Sequence, residues 1–218
     1  MHGWLVVWQQ RDLMLSGLLT TLYIVAVSAA LATALGTLLF GLIAVSRARL
    51  LTTGLARLID LMRTVPFMLF CYLIYYGLPS WGILLGRTAA GITALTLYNA
   101  AYIAELLRGA WAALPRDAIE AGHAFGFHGW RLVWRIILPP VVLAAVPMLG
   151  NQMVQIIKDS AFLIVIAVQE LTYAADEIQA TYYVPFAAFL AAVACYWLLC
   201  LGVEGGVRAV LRRAEARR

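Results

Sequence analysis

Residues Glu120–Pro140 read "EAGHAFGFHGWRLVWRIILPP", a polar interruption in a chain that is otherwise strongly apolar. Its spacing divides it into parts. Just ahead of it, Pro115 and Asp117 suit the first turn of a helix, where a missing N–H costs nothing and an acid complements the positive end. Gly126 is placed to end that helix, because glycine adopts the left-handed conformation usual just past a helix C-terminus. Trp130, Val133, Trp134 and Ile137 then recur at i, i+3, i+4 and i+7, one face of a second helix with Arg131 and Arg135 beside it. Aromatic rings with arginines fit a membrane–water boundary. Pro139 and Pro140 predict the end of this second helix and the start of another. Ala121 and Gly122 are small enough to let backbones approach closely.

The rest of the chain places this connector at a membrane. Of 218 residues, 64% are hydrophobic and 12% charged. A soluble domain carries about a quarter charged residues, so an ordinary soluble fold is excluded. The apolar residues fall in blocks matching the ~20 residues a helix needs to cross a bilayer. These predict an all-α, polytopic membrane protein with five spans, at about 13–45, 59–78, 88–107, 140–157 and 183–207, and the connector at about 115–139. The first block is long enough that it must tilt or protrude. The apolar run after Arg11 is also too long for a secretory core, so it is expected to be retained as the first span.

Arginines set the orientation. Arg47, Arg49 and Arg57 occupy the first connection, Arg108, Arg116, Arg131 and Arg135 the third, and Arg208, Arg212, Arg213, Arg217 and Arg218 the tail. The other side has Arg11, Arg87 and Lys158, and the acids Glu170, Asp176 and Glu177. The positive-inside rule therefore predicts an outer N-terminus, with the 115–139 connector and the C-terminus in the cytoplasm. With this placement the net charge of +5 fits lipid headgroups and topology, not nucleic acid. Cys71, Cys195 and Cys200 lie inside apolar blocks and read as small apolar filler.

The connector resembles the EAA loop of permease subunits of binding-protein-dependent ABC importers. That pattern has Glu-Ala-Ala, a glycine after three intervening residues, nine more residues, then Ile-x-Leu-Pro. Here it is matched by Glu120-Ala121-Gly122, Gly126 and Ile136-Ile137-Leu138-Pro139, with Gly122 in place of the second alanine. A glycine inside a helix costs ~1 kcal/mol relative to alanine, so a docked partner is expected to help order it. Further segments are similar to the polar amino acid uptake subfamily. These are "LSGLLTTLYIVAVSAALATALG", "MRTVPFMLFCYLIYYGLP" (Val65 replacing a glycine in Arg63–Pro66), "AYIAELLRGAWAALP" and "NQMVQIIKDSAFLIVIAVQEL". The resemblance implies a type I ABC importer permease fold in a bacterial cytoplasmic (inner) membrane. It also implies two ATP-binding cassette subunits carrying ATP and Mg, a second permease subunit (identical or paralogous), an extracytoplasmic substrate-binding protein and a polar amino acid substrate. Coupling to the ATPase falls, by that resemblance, to Glu120, Ala121, Gly122 and Gly126, with Phe125 as an apolar anchor.

Polar side chains inside lipid are costly and mark candidate functional sites. Asn151, Gln152, Gln155, Lys158 and Asp159 share a sector of about 120° on the fourth span at 100° per residue. They serve either helix–helix hydrogen bonds or the substrate path. Asp159 is expected to hold a substrate ammonium group, and Lys158 is its ion-pair partner or an outer-leaflet anchor. Tyr98 and Asn99 on the third span are further path candidates. Asp60/Arg63, Glu105/Arg108 and Glu204/Arg208 read as local ion pairs. His123 and His128, five apart across a helix-breaking glycine, have poor ligand spacing, and no metal site is expected. No G-x-x-x-x-G-K-[ST] loop occurs, so this chain is expected to bind no ATP and to perform no catalysis itself. The alternative is a transporter or small channel driven by an ion gradient, which would account for the spans but not for the EAA-like connector.

Overall fold

The computed structural model describes residues 2–46 and 48–215, and within them every side chain except those of residues 116, 118, 214 and 215. Arg47, Arg217 and Arg218, counted in the charge asymmetry, lie outside the described residues, as does the side chain of Arg116. Among the described residues every regular element is helical. Four helices are long and apolar enough to cross a membrane, or five when a sharply bent pair counts as one span.

Helix α1 (His2–Gln9) runs into α2 (Arg11–Val45) with only Gln10 between them. At 1.5 Å per residue α2 is about 50 Å long, well beyond the ~30 Å hydrocarbon core. Its buried stripe includes Gly17, Thr21, Ile24, Ser28, Ala32, Gly36 and Phe40, at steps of three or four residues. Small residues there let backbones touch, as is usual between helices in lipid. At Gly36 an added Cβ would meet the carbonyl oxygen of Ala100 at 2.8 Å.

The expected second span at 59–78 straddles a sharp bend. Helix α3 (Arg49–Thr64) and the segment Phe67–Trp81 meet at 106°, so the chain turns sharply instead of continuing straight. Pro66 has no N–H to continue the ladder and holds Val65 extended, at ψ 134°. Helix α3 has one apolar stripe and buries only Ile59. The apolar segment begins as α4 (Phe67–Tyr72), widens into a π turn at Leu73–Gly77 and tightens to a 3-10 turn at Leu78–Trp81.

Helix α5 (Arg87–Ala112) is the central span, and it buries the largest share of its length. The connector follows as α6 (Arg116–Ala124) and α7 (Gly129–Leu132). Pro139 and Pro140 do not stop the chain there, contrary to expectation. From α7 the helix passes through a π turn at Val133–Ile137 directly into α8 (Leu138–Ser160). The prolines withhold the donors that Arg135 and Ile136 would otherwise meet, and the helix absorbs this in a wider turn, with the Leu138 N–H on the Val133 carbonyl. The fourth span is therefore the upper part of a longer rod, Gly129–Ile166.

Helix α9 (Leu171–Tyr182) is short and was not anticipated as a separate element. It is set off by Ala167 and Tyr183, which take left-handed φ values of 54° and 55°. The last helix, α10 (Pro185–Glu215), covers the expected fifth span from residue 185 to 207. Two clusters line α5. One joins Ile24, Phe70, Leu95 and Leu163, and the other joins Phe40, Ile103, Leu132, Ile137 and Val141. A third holds α9 to α2 and α10 through Met14, Leu171, Ile178 and Ala188.

Candidate functional site

The connector closes on itself around Gly126. The Phe127 N–H reaches the Gly122 carbonyl at 3.0 Å and the Gly126 N–H reaches that of His123 at 2.9 Å. With Gly126 at φ 81°, this is the Schellman pattern that satisfies the last carbonyls of α6. Gly122 is buried, and a Cβ there would lie 2.7 Å from Leu132 Cδ1 and 3.3 Å from Ile136 Cγ2. The glycine in place of alanine is thus a close-packing position, seating α6 directly on the rod that becomes α8. Ile119 and Phe127 complete that contact.

The opposite side of α6 presents Glu120, Ala121, Ala124 and Phe125 to the outside, and Phe125 is 84% exposed. Behind it, Trp130 lies over Gly41 of α2, where a Cβ would meet the ring at 2.5 Å. A displacement of α6 therefore reaches both α2 and α8 through packed side chains. The rings of His123 and His128 come within 5.2 Å of each other across the Gly126 turn.

The polar stripe of α8 divides in two. Gln152 and Asp159 are buried, whereas Asn151, Gln155 and Lys158 are exposed. Gln152 Nε2 donates to Asn99 Oδ1 at 2.6 Å, and Asn99 Nδ2 donates to the Leu95 carbonyl at 2.9 Å. That chain of bonds ties α8 to α5. Gln155 Nε2 donates to Asp159 Oδ1 at 2.8 Å, and Asp159 Oδ2 has no partner although it is buried. Among the described residues Lys158 forms no ion pair with Asp159.

Tyr98 holds the sharp bend. Its hydroxyl donates to the Val65 carbonyl at 3.0 Å, while the Tyr102 hydroxyl donates to that of Arg63 at 3.1 Å. The i, i+4 tyrosine pair on α5 thus catches two carbonyls freed where α3 ends, and only this spacing hinted at it in the sequence. The expected ion pairs are present and extend into a network. Arg63 reaches both Asp60 and Glu105 at 3.7 Å, and Arg108 binds Glu105 in a two-pronged contact at 2.6 and 2.7 Å. Arg208 meets Glu204 at 2.9 Å.

Glu170 counted in the sequence only as one of the outer acids, and its structural role was not legible there. It is fully buried and caps α9, accepting from the N–H groups of Thr172 and Tyr173 at 2.9 Å each and from the Tyr196 hydroxyl of α10. Burial raises its pKa above the ordinary carboxylate range, opposed by those hydrogen bonds. The three cysteines are free.

The exposed α6 turn is packed on α2 and on the rod that becomes α8, and a polar pair, Gln152 and Asn99, is buried between α8 and α5. Residues 36–216 match the family described as binding-protein-dependent transport system inner membrane component, and the chain belongs to that family. It is the membrane permease subunit of an ABC importer, a transporter component and not a catalytic enzyme, and such permeases work with ATPase and binding-protein partners. An ion-gradient-driven transporter is not favoured.

Among relatives, the glutamine transport system permease protein GlnP of Escherichia coli (strain K12) is 30% identical over 98% of this chain and 96% of its own. The probable glutamine ABC transporter permease protein GlnP of Bacillus subtilis (strain 168) is 30% identical over 92% and 91%. In structure, the chain is similar to an amino acid ABC transporter crystallised with histidines, at a TM-score of 0.86 and 27% identity over 96% of this chain and 98% of that one. The methionine transporter MetNI shares the fold, at a TM-score of 0.73, 23% identity and coverage of 92% and 97%. The fold is that of a type I ABC importer permease.

Proposed function

We propose that this permease carries a polar amino acid into the cytoplasm of a bacterium across the inner membrane, with its N-terminus outside and its C-terminus inside. In this reading it pairs with a second permease subunit, receives substrate from an extracytoplasmic binding protein and is driven by two ATP-binding cassette subunits that hold ATP and Mg. The α6 turn carries the reading. Its exposed face of Glu120, Ala121 and Phe125 ends at Gly126 and is packed, through Gly122 and Trp130, onto the two longest rods of the bundle. Relatives named for glutamine, and a similar transporter crystallised with histidines, support the substrate class. So does Asp159, whose buried, unpartnered Oδ2 is an acceptor suited to an ammonium group. Asn99 and Gln152 brace the wall beside it, and Asn151, Gln155 and Lys158 line the water-facing side.

The test is uptake by the complete transporter in proteoliposomes, with radiolabelled glutamine, histidine and arginine. Vanadate should stop uptake, and collapse of ion gradients should not. Gly126→Val, which forces a β-branched residue to φ 81°, should abolish uptake and loosen retention of the ATPase subunit. Normal transport with full retention in that variant would remove α6 as the coupling element. Asp159→Asn should raise the half-saturating substrate concentration at saturating binding protein. An unchanged value would give Asp159 a structural role only.

A further inference from the structure

We propose that His123 and His128 form a two-ligand site for a borderline divalent transition metal ion, Zn(II) or Cu(II), across the turn that ends α6. In sequence the two lie five apart, on either side of a helix-breaking glycine. Gly126, at φ 81°, turns the chain between them and brings the two rings together, their planes tilted by 59°.

Their separation suits shared ligation. A metal–nitrogen bond of about 2.0–2.1 Å puts a ring centre about 3.2 Å from the ion, and two rings at the tetrahedral angle then lie about 5.2 Å apart. The observed separation is 5.2 Å. The His128 ring is also fixed in a ligating tautomer. Its Nδ1 lies 3.0 Å from the Gly126 carbonyl, which only accepts, so Nδ1 carries the proton and Nε2 keeps its lone pair. A ring N–H held by a backbone carbonyl is the usual outer support of a metal-binding histidine.

Both side chains are exposed, so an ion enters directly from water. Imidazole pairs select Cu(II) and Zn(II) over the hard Mg(II) and Ca(II). Among the described residues no third His, Cys, Asp or Glu groups with them, so the remaining positions are open to water or to a ligand on a docked subunit. A bound ion would tie the end of α6 to the start of α7 and stiffen the turn that presents Phe125.

The experiment uses the full-length permease, purified through a tag without histidines and placed in phosphatidylcholine nanodiscs. Titration with Cu(II), followed by electron paramagnetic resonance, should show one equivalent bound with coupling to two nitrogens, competed by a large excess of Zn(II) and not by millimolar Mg(II). Both His123→Ala and His128→Ala should weaken binding at least tenfold. So should the Gln variants, which keep a polar side chain should an alanine variant misfold. His2→Ala, removing the remaining histidine, should change nothing. Binding in the His123 and His128 variants equal to that of the parent, coupling to one nitrogen, or displacement by Mg(II) would each overturn the site. No ATPase takes part, so this result and that of the coupling test are independent.

Discussion

At Gly36 the obstacle to a side chain is another backbone. A Cβ would sit 2.8 Å from the Ala100 carbonyl oxygen and from Ile103, and neither helix can yield without separating. Gly36→Ala should therefore destabilise the chain by about 1–3 kcal/mol, the usual cost of overpacking. Gly126 has open space around it but φ 81°, so Gly126→Ala should cost about 1–2 kcal/mol, the strain of a side chain in the left-handed region. Gly109, in α5, has neither constraint, and Gly109→Ala should be neutral or stabilising by about 0.5–1 kcal/mol. Thermal unfolding midpoints in detergent should follow that order, lowest for Gly36→Ala and unchanged or raised for Gly109→Ala. A Gly36→Ala midpoint equal to the parent's would mean that α2 and α5 do not meet there. Gly122 shows what a motif leaves out. Read alone, it is a helix-weakening departure from alanine. With Leu132 Cδ1 2.7 Å from where its Cβ would be, it is the position that lets α6 seat.

The bend between α3 and α4 depends on a pair of phenols far away in sequence. Tyr98 and Tyr102 reach carbonyls 33 and 39 residues earlier. Removing both hydroxyls should leave those carbonyls without donors, at about 1–3 kcal/mol for each group left unsatisfied. In Tyr98→Phe/Tyr102→Phe, hydrogen exchange at the amides of 61–70 should accelerate while peptides from α10 keep their protection. Equal exchange throughout would show that Pro66 alone sets the bend. Hydropathy averaged along the chain reads residues 59–78 as one span because it is blind to direction. Pro66 marks a break, but a proline is also compatible with a mild kink, so the 106° angle does not follow from that residue type. The same limit applies at Pro139 and Pro140, which signal a helix start in sequence. In the folded chain the π turn at Val133–Ile137 accommodates them inside a continuous rod.

For the molecule as a whole, the apolar blocks of α2, α5 and α10 and the turn at Gly126 could be read from the sequence, because both are local properties. The division of the polar stripe could not. Lys158 and Asp159 are adjacent, one exposed and one buried, and a sector of about 120° is wide enough to straddle the edge between core and surface. The exposed half carries a consequence for the assembled transporter. Lipid offers no hydrogen bonds, so Asn151, Lys158 and the amide oxygen of Gln155, whose Nε2 is bound to Asp159, require water or a second permease subunit beside them. Asn151 also lines a recess of about 280 Å³ with Glu204 and Arg208 of α10, extending the polar surface to a neighbouring helix. By contrast Leu198, 62% exposed on α10, belongs to an apolar surface with Trp197 and Leu201. With Cys71, Cys195 and Cys200 replaced by alanine, Gln155→Cys in the assembled transporter should react with a charged methanethiosulfonate at least ten times faster than Leu198→Cys. Thiolates form far more readily in water than in hydrocarbon, so the ratio reports hydration and not mere exposure. Protection of Gln155→Cys by saturating substrate-loaded binding protein would place it on the translocation path. Equal labelling of the two positions would remove the exposed half of the stripe from that path.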